Sequence, residues 1–232
     1  RPPNDTPAGQ RIEVDVAALS DDAMEGREAG TAGYERAARY VAGRYGEIGL
    51  QPAGDEGDWF QSVPLLRATA VPAQARLEIV RDGRTTALAV GREFLPGVDF
   101  NRGESAVEAP AVFVGQAVHA PELGHDDFAG LELRGRIAVI FGGAPGTFDD
   151  TRRAFHSSQR EKLREVVERG AVGAVFVNTA DDEARYPWAR AVEHMDKPAM
   201  RLRDGDGRGI DSWPQLAATA VVSAAAADAL FA

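Results

Sequence analysis

The sequence predicts an α/β protein with a mixed sheet, and three observations carry that expectation. Residues 136–177 read as strand, helix, strand, the order that makes a right-handed parallel crossover. Residues 75–90 read as a tight antiparallel hairpin. Short β-prone runs outnumber helical ones, although residues 11–50 carry helical periodicity.

In chain order, Arg1-Pro2-Pro3-Asn4-Asp5-Thr6-Pro7 is a polar, Pro-rich leader without an initiator Met, suited to a mature exported protein or to a piece of a longer gene. In the helical stretch, Thr31 is placed to cap a helix by accepting from an orphan N–H of its first turn. Tyr34, Ala37, Ala38, Val41, Tyr45 and Ile48 recur at helical spacing as a core-facing stripe, and Gly49 supplies the positive φ that ends the helix. Residues 51–58 (QPAGDEGD) are turn chemistry, and Trp59–Val63 opens a strand-like phase. The expected domains are therefore 1–58 and 59–232. The hairpin pairs 75–80 with 85–90 around Asp82-Gly83, and further strands are expected at 105–108, 111–114 and 136–141.

Gly142-Gly143-Ala144-Pro145-Gly146 then leads to a helix over Ser158–Arg169, with Ser158 and Glu161 at capping-box spacing and Gly170 closing it. Leu163, Val166 and Val167 are its buried stripe, and residues 171–177 (AVGAVFV) are apolar enough for a strand covered on both faces. Residues 178–214 read as irregular and charged, with Asp204-Gly205-Asp206-Gly207 as a loop tip. A strand at 218–222 and a Ser223-capped, Ala-rich helix complete the chain.

The formal net charge of −10 argues against nucleic-acid and anionic-membrane partners, which reward basic patches. There is no Cys, so disulfides, thiolate metal sites and Cys nucleophiles are excluded together. No run approaches the roughly 18 apolar residues of a membrane span, and none has signal-peptide character.

Two stretches resemble known families. Residues 19–50, with Glu25-Gly26-Arg27-Glu28 followed by Gly30-Thr31-Ala32-Gly33 and a helix, resemble the entry segment of the M28 family of zinc aminopeptidases. Residues 112–115 (VFVG) and 120–137 (APELGHDDFAGLELRGRI) are similar to the protease-associated (PA) domain inserted in many of those enzymes. The helix over 161–170 with AVGAVFV, and Ser223–Phe231, resemble later parts of that domain; Gln116-Ala117 departs from its usual Tyr-Gly. The resemblance implies a PA-like mixed sheet or open barrel with flanking helices, of the β/β/α swivelling type, preceded by an N-terminal helical segment. It also implies a parent with two zinc ions that removes N-terminal residues from peptides outside the cytoplasm, in the periplasm or secreted.

The ligands of that chemistry are a His-x-Asp pair, a bridging Asp, a Glu-Glu pair and a distal His, nitrogen and oxygen donors suited to zinc. Two His-x-Asp strings occur, His125-Asp126-Asp127 and His194-Met195-Asp196, but no Glu-Glu dipeptide does. His125 and Asp127 lie within the PA-like motif, where the acids suit a turn, while His194 and Asp196 lie in a charged loop. His119 and His156 stand apart in loop-like contexts. Asp204 and Asp206 have too few donors around them for a calcium loop. Pro145 removes an N–H that a phosphate cradle would use, and no G-x-S-x-G elbow or P-loop is present. Glu25, Arg27 and Glu28 read as an Arg–carboxylate contact ordering the helix entry. Trp59, Trp188 and Trp213 read as packing residues, with Tyr186 and Trp188 the candidates for contacting a partner.

The expected protein is thus a non-catalytic fragment, with no catalytic residue, no metal ligand and no cofactor of its own, zinc belonging to its parent. Its partners would be the parent's catalytic domain and a peptide or protein substrate. The alternative is a stand-alone PA-type peptide-binding module. An apolar patch on helix 33–48, left without the catalytic domain, would favour self-association.

Overall fold

A computed structural model describes residues 6–231. Residues 1–5 of the Pro-rich leader lie outside the described residues. The chain divides into two compact units, the first ending at Val63 and the second beginning at Pro64.

In the first unit the expected helical stretch is three pieces: α1 (Pro7–Ser20), a short 3-10 segment (Asp22–Arg27) and α2 (Ala32–Glu47). Thr6 caps α1 through Gly9 N–H, and Asp21 starts the 3-10 segment by accepting from Ala23 N–H. Thr31 caps α2, its hydroxyl accepting from Tyr34 N–H at 3.3 Å. At the other end Leu50 N–H reaches back to the Tyr45 carbonyl, with Gly49 at φ 85°. The expected stripe is covered only in part. Ala37 is buried and Ala38 and Val41 are half-buried, whereas Tyr34, Tyr45 and Ile48 are exposed; outside the stripe Gly33 and Ala42 are buried and Tyr40 and Arg44 half-buried. The covered face is thus shifted from the apolar one towards Gly33, Tyr40 and Arg44. Gly33 decides this, because a Cβ there would run into the Met24 carbonyl. Only the glycine face of α2 can approach the 3-10 segment.

Trp59–Val63 forms no strand. Residues 54–62 instead fold back on themselves: Asp55 N–H donates to the Phe60 carbonyl at 2.7 Å, and its carboxylate accepts from Ser62 N–H at 2.7 Å. Trp59 lies against Tyr45, ring centroids 6.3 Å apart.

The second unit begins with β1 (Leu65–Ala68), β2 (Leu77–Arg81) and β3 (Arg84–Leu88). β2 and β3 form the expected hairpin, closed by Asp82 and Gly83, both at positive φ (50° and 74°), the conformation a two-residue turn requires. There follow β4 (Phe94–Pro96), β5 (Ala111–Phe113), β6 (His119–Ala120), β7 (His125–Asp126) and β8 (Ile137–Phe141). Residues 105–108 form no strand; Val107 packs towards Gly173 from a loop. Next come α3 (Asp150–His156), α4 (Gln159–Glu168), β9 (Gly173–Val177), α5 (Ala180–Arg185), α6 (Trp188–Val192), β10 (Ala199–Leu202), β11 (Ala218–Val222) and α7 (Asp228–Phe231).

The main sheet has the order β4-β11-β9-β8-β5, parallel throughout except for β4. The crossover β8–α4–β9 is present, with Gly170 at φ 82° ending α4. The Ser158–Glu161 capping box does not form: Ser158 makes no side-chain cap bond, and Glu161 pairs with Arg164 at 2.8 Å. Ser223 likewise caps nothing, and the terminal helix is one 3-10 turn (Ala224–Ala226) followed by α7. The region 178–214 is more ordered than its composition predicts: α5 has a complete Thr179–Asp182 capping box, and β10 pairs antiparallel with β1.

Both faces of the sheet are covered, as the apolar run over 171–177 predicts. On one face Ile140, Ala174 and Phe176 pack with Leu163 and Val166 of α4 and with Leu133. On the other Val139, Val177 and Val222 pack with Phe94 and Leu88.

Candidate functional site

Polar side chains converge where the chain leaves β5 and β8. After β5 the backbone turns sharply at Gly115 (φ 55°) and Ala117 (φ 53°). Gly115 must be glycine: a Cβ would press on the Asp127 carboxyl at 2.9 Å. Asp127 Oδ2 accepts from Gln116 N–H and Val118 N–H, both at 3.0 Å, and Oδ1 lies 3.0 Å from His125 Nε2. Asp126 Oδ1 accepts from Phe128 N–H at 2.9 Å, which with His119 alongside holds its carboxyl below the usual range. His119 Nδ1 lies 3.2 Å from the same oxygen, but off the line of a good hydrogen bond. The Phe148 ring meets the rings of His125 and His156 edge-on, at 5.8 and 5.5 Å. His119 and His125 thus stand on one short hairpin, and His156 of α3 adjoins it through the Phe148 ring.

A further participant is Lys162 of α4, which sequence reasoning missed. Its ammonium donates to the carbonyl oxygens of Gln116 and Gly143, and Gln116 Nε2 donates to the Gly142 carbonyl at 3.2 Å. The signal available was its phase: Lys162 stands four residues before Val166, on the buried stripe of the helix.

This arrangement does not suit a two-zinc centre. Both Asp127 oxygens are engaged by the turn and His125, and Asp126 is bonded to Phe128 N–H. His194 Nδ1 lies 2.7 Å from the Arg190 carbonyl at the end of α6, and Asp196 is exposed. Among the described residues no group of three or more His, Asp or Glu side chains is placed to hold a metal ion. The residues present fit turn-ordering chemistry instead.

Tyr186 is exposed beside Arg190, whose guanidinium sits 5.6 Å from its ring. Trp188 is half-buried, and its indole N–H donates to the Gly91 carbonyl at 2.8 Å. In the loop 204–208, Asp204 accepts from Asp206 N–H and Arg208 N–H, forming the tip of a hairpin. In the first unit Glu25 pairs with Arg36 at 3.0 Å, and Arg27 donates to the Leu19 carbonyl. Glu25, Gly26 and Arg27 all have positive φ, so this segment folds as a tight turn.

No known family's sequence profile matches the chain, and no curated protein matches it. Among solved structures, the aminopeptidase from Aneurinibacillus sp. strain AM-1 is 17% identical, over 94% of this chain and 42% of that one, with a TM-score of 0.40. The zinc aminopeptidase BSAP from Bacillus subtilis is 18% identical, over 73% of this chain and 32% of that one, with a TM-score of 0.31. The chain spans less than half the length of either. Likenesses at this level assign neither family nor activity.

Proposed function

We propose that this chain is the non-catalytic, protease-associated region of a zinc-dependent M28-like aminopeptidase that works outside the cytoplasm. Its role would be to shape substrate access or to bind a peptide or protein. The observation that carries this reading is the order of the two resemblances in one sequence: the Glu-Gly-Arg entry before α2, then VFVG, DDFAG and RGRIAVIF. The last three become neighbouring parts of one sheet region, β5, the turn built on Asp127, and β8. Exposed apolar side chains on α1 and α2 and just after α2 (Ile12, Val16, Tyr34, Ile48) suit a chain that packs on further protein. Tyr186 is the candidate contact for a peptide or protein partner.

The purified 232-residue chain should release nothing from aminoacyl-p-nitroanilides at any zinc concentration; zinc-dependent release would end the non-catalytic reading. The gene read onward from Ala232 should continue into His-x-Asp and Glu-Glu motifs. A stop codon directly after Ala232 would favour the stand-alone binding module instead.

A further inference from the structure

Lys162 is an unusual residue for its place. The chain carries 24 arginines and only two lysines, Lys162 and Lys197. Lys197 is exposed, while Lys162 is 1% exposed. Its amine lies between the Gln116 carbonyl, in the turn after β5, and the Gly143 carbonyl, in the loop after β8. The backbone of Gln116 is consequently held through both its neighbouring peptide units, its N–H by Asp127 and its carbonyl by Lys162. A compact, rotatable amine suits two carbonyls approached from different segments; a planar guanidinium fork does not.

Few charges act on this amine. Asp127 is the one whose field favours the ammonium, and its other oxygen is shared with His125. Glu161 and Glu165 on α4 are engaged by Arg164 and Arg169. Residues 142–148 contribute no titratable group, and Asp182 of α5 comes near Gly142 but is bonded to Thr179 and Arg185. Loss of water outweighs Asp127, so burial pulls Lys162 down to about 8.

We propose that Lys162 is a proton-linked latch: closing residues 115–118 and 141–148 onto its amine expels a proton, so the two segments tighten as pH rises. The direction follows from linkage. The closed form binds fewer protons than one in which the amine reaches water, so rising pH favours closure between about 8 and the ordinary lysine value of 10.5. A neutral amine still has two N–H donors, enough for both carbonyls. Below that window the amine is charged in both forms, and closure carries its full desolvation cost.

The test uses the full chain labelled with 13C-lysine, in which Lys197 is an internal exposed reference. Lys162 should titrate near 8, about two pH units below the ordinary lysine value. Hydrogen exchange, corrected for its intrinsic pH dependence, should show opening of 115–118 and 141–148 falling about twentyfold between about pH 7.5 and 9.5. Exchange in the β2–β3 hairpin should stay flat over that range. Lys162→Met should abolish the fall. Titration of Lys162 at the ordinary lysine value, opening that ignores pH, or a fall that persists in Lys162→Met would each overturn the latch. If Lys162→Met does not fold, the titration and exchange of the unaltered chain decide alone.

Discussion

The two units of this chain are stabilised in opposite ways. The second has a sheet covered on both faces, with Ile140, Ala174, Val166 and Val222 fully buried. The first buries only small residues in its long helices, none in α1 and Gly33, Ala37 and Ala42 in α2. Polar clasps take the place of a core there: Asp15 of α1 accepts from Tyr40 and Arg44 of α2, each at 2.7 Å. Apolar burial contributes steadily with area, whereas exposed ion pairs contribute little and are screened by salt. The first unit should therefore be the weaker, and more sensitive to geometry and ionic conditions.

That contrast can be broken from either side. The largest effect is expected for Ile140→Ala, which empties a fully buried site between β8 and α4. It should lower the urea-unfolding stability of the second unit by about 4 kcal/mol; a loss under about 1 kcal/mol would mean that the sheet is not the main support. Gly33→Ala comes next. With no room for a Cβ against the Met24 carbonyl, it should destabilise the first unit by about 2–3 kcal/mol, read from the amide signals of α2. Unchanged signals would show that the helix and the 3-10 segment do not pack as described.

Thr31→Ala removes one cap bond and should cost about 1 kcal/mol of α2 stability, visible as fraying of residues 32–35. The smallest effect concerns Asp15. Hydrogen bonds from Tyr40 and then Arg44 hold its carboxyl below 3.8. Its contribution is therefore complete above 3.8 and is lost as pH falls through the lower folded value. Acid should loosen α1 from α2, with Asp15→Asn showing the loosening at neutral pH; α1 amides indifferent to both changes would remove Asp15 as the clasp.

Much of the second unit was legible in the sequence because its signals are local. Asp82-Gly83 between β-prone runs dictates the hairpin, and Gly170 after an amphipathic stretch dictates the end of α4 and the return of the crossover to the sheet. The failures are equally specific. The stripe on α2 is covered only in part, because a glycine contact as well as apolar character selects the face that packs. Residues 59–63 and 105–108 have strand-like composition but no ladder partner within reach, and a strand exists only where another pairs with it.

The candidate site was less legible than the fold. Asp127 could be assigned to a turn from its neighbours, but its pairing with Gln116 and Val118 spans about ten residues, and Lys162 reaches the Gln116 carbonyl of the same turn from α4. What the sequence determined by itself were the turns, the caps and the crossover, because each depends on the conformational preferences of a few adjacent residues. What only the tertiary structure decided were the covered face of α2, the β1–β10 pairing and the burial of Lys162 between two loops. Those depend on segments far apart in the chain, whose meeting is set by packing rather than by local propensity.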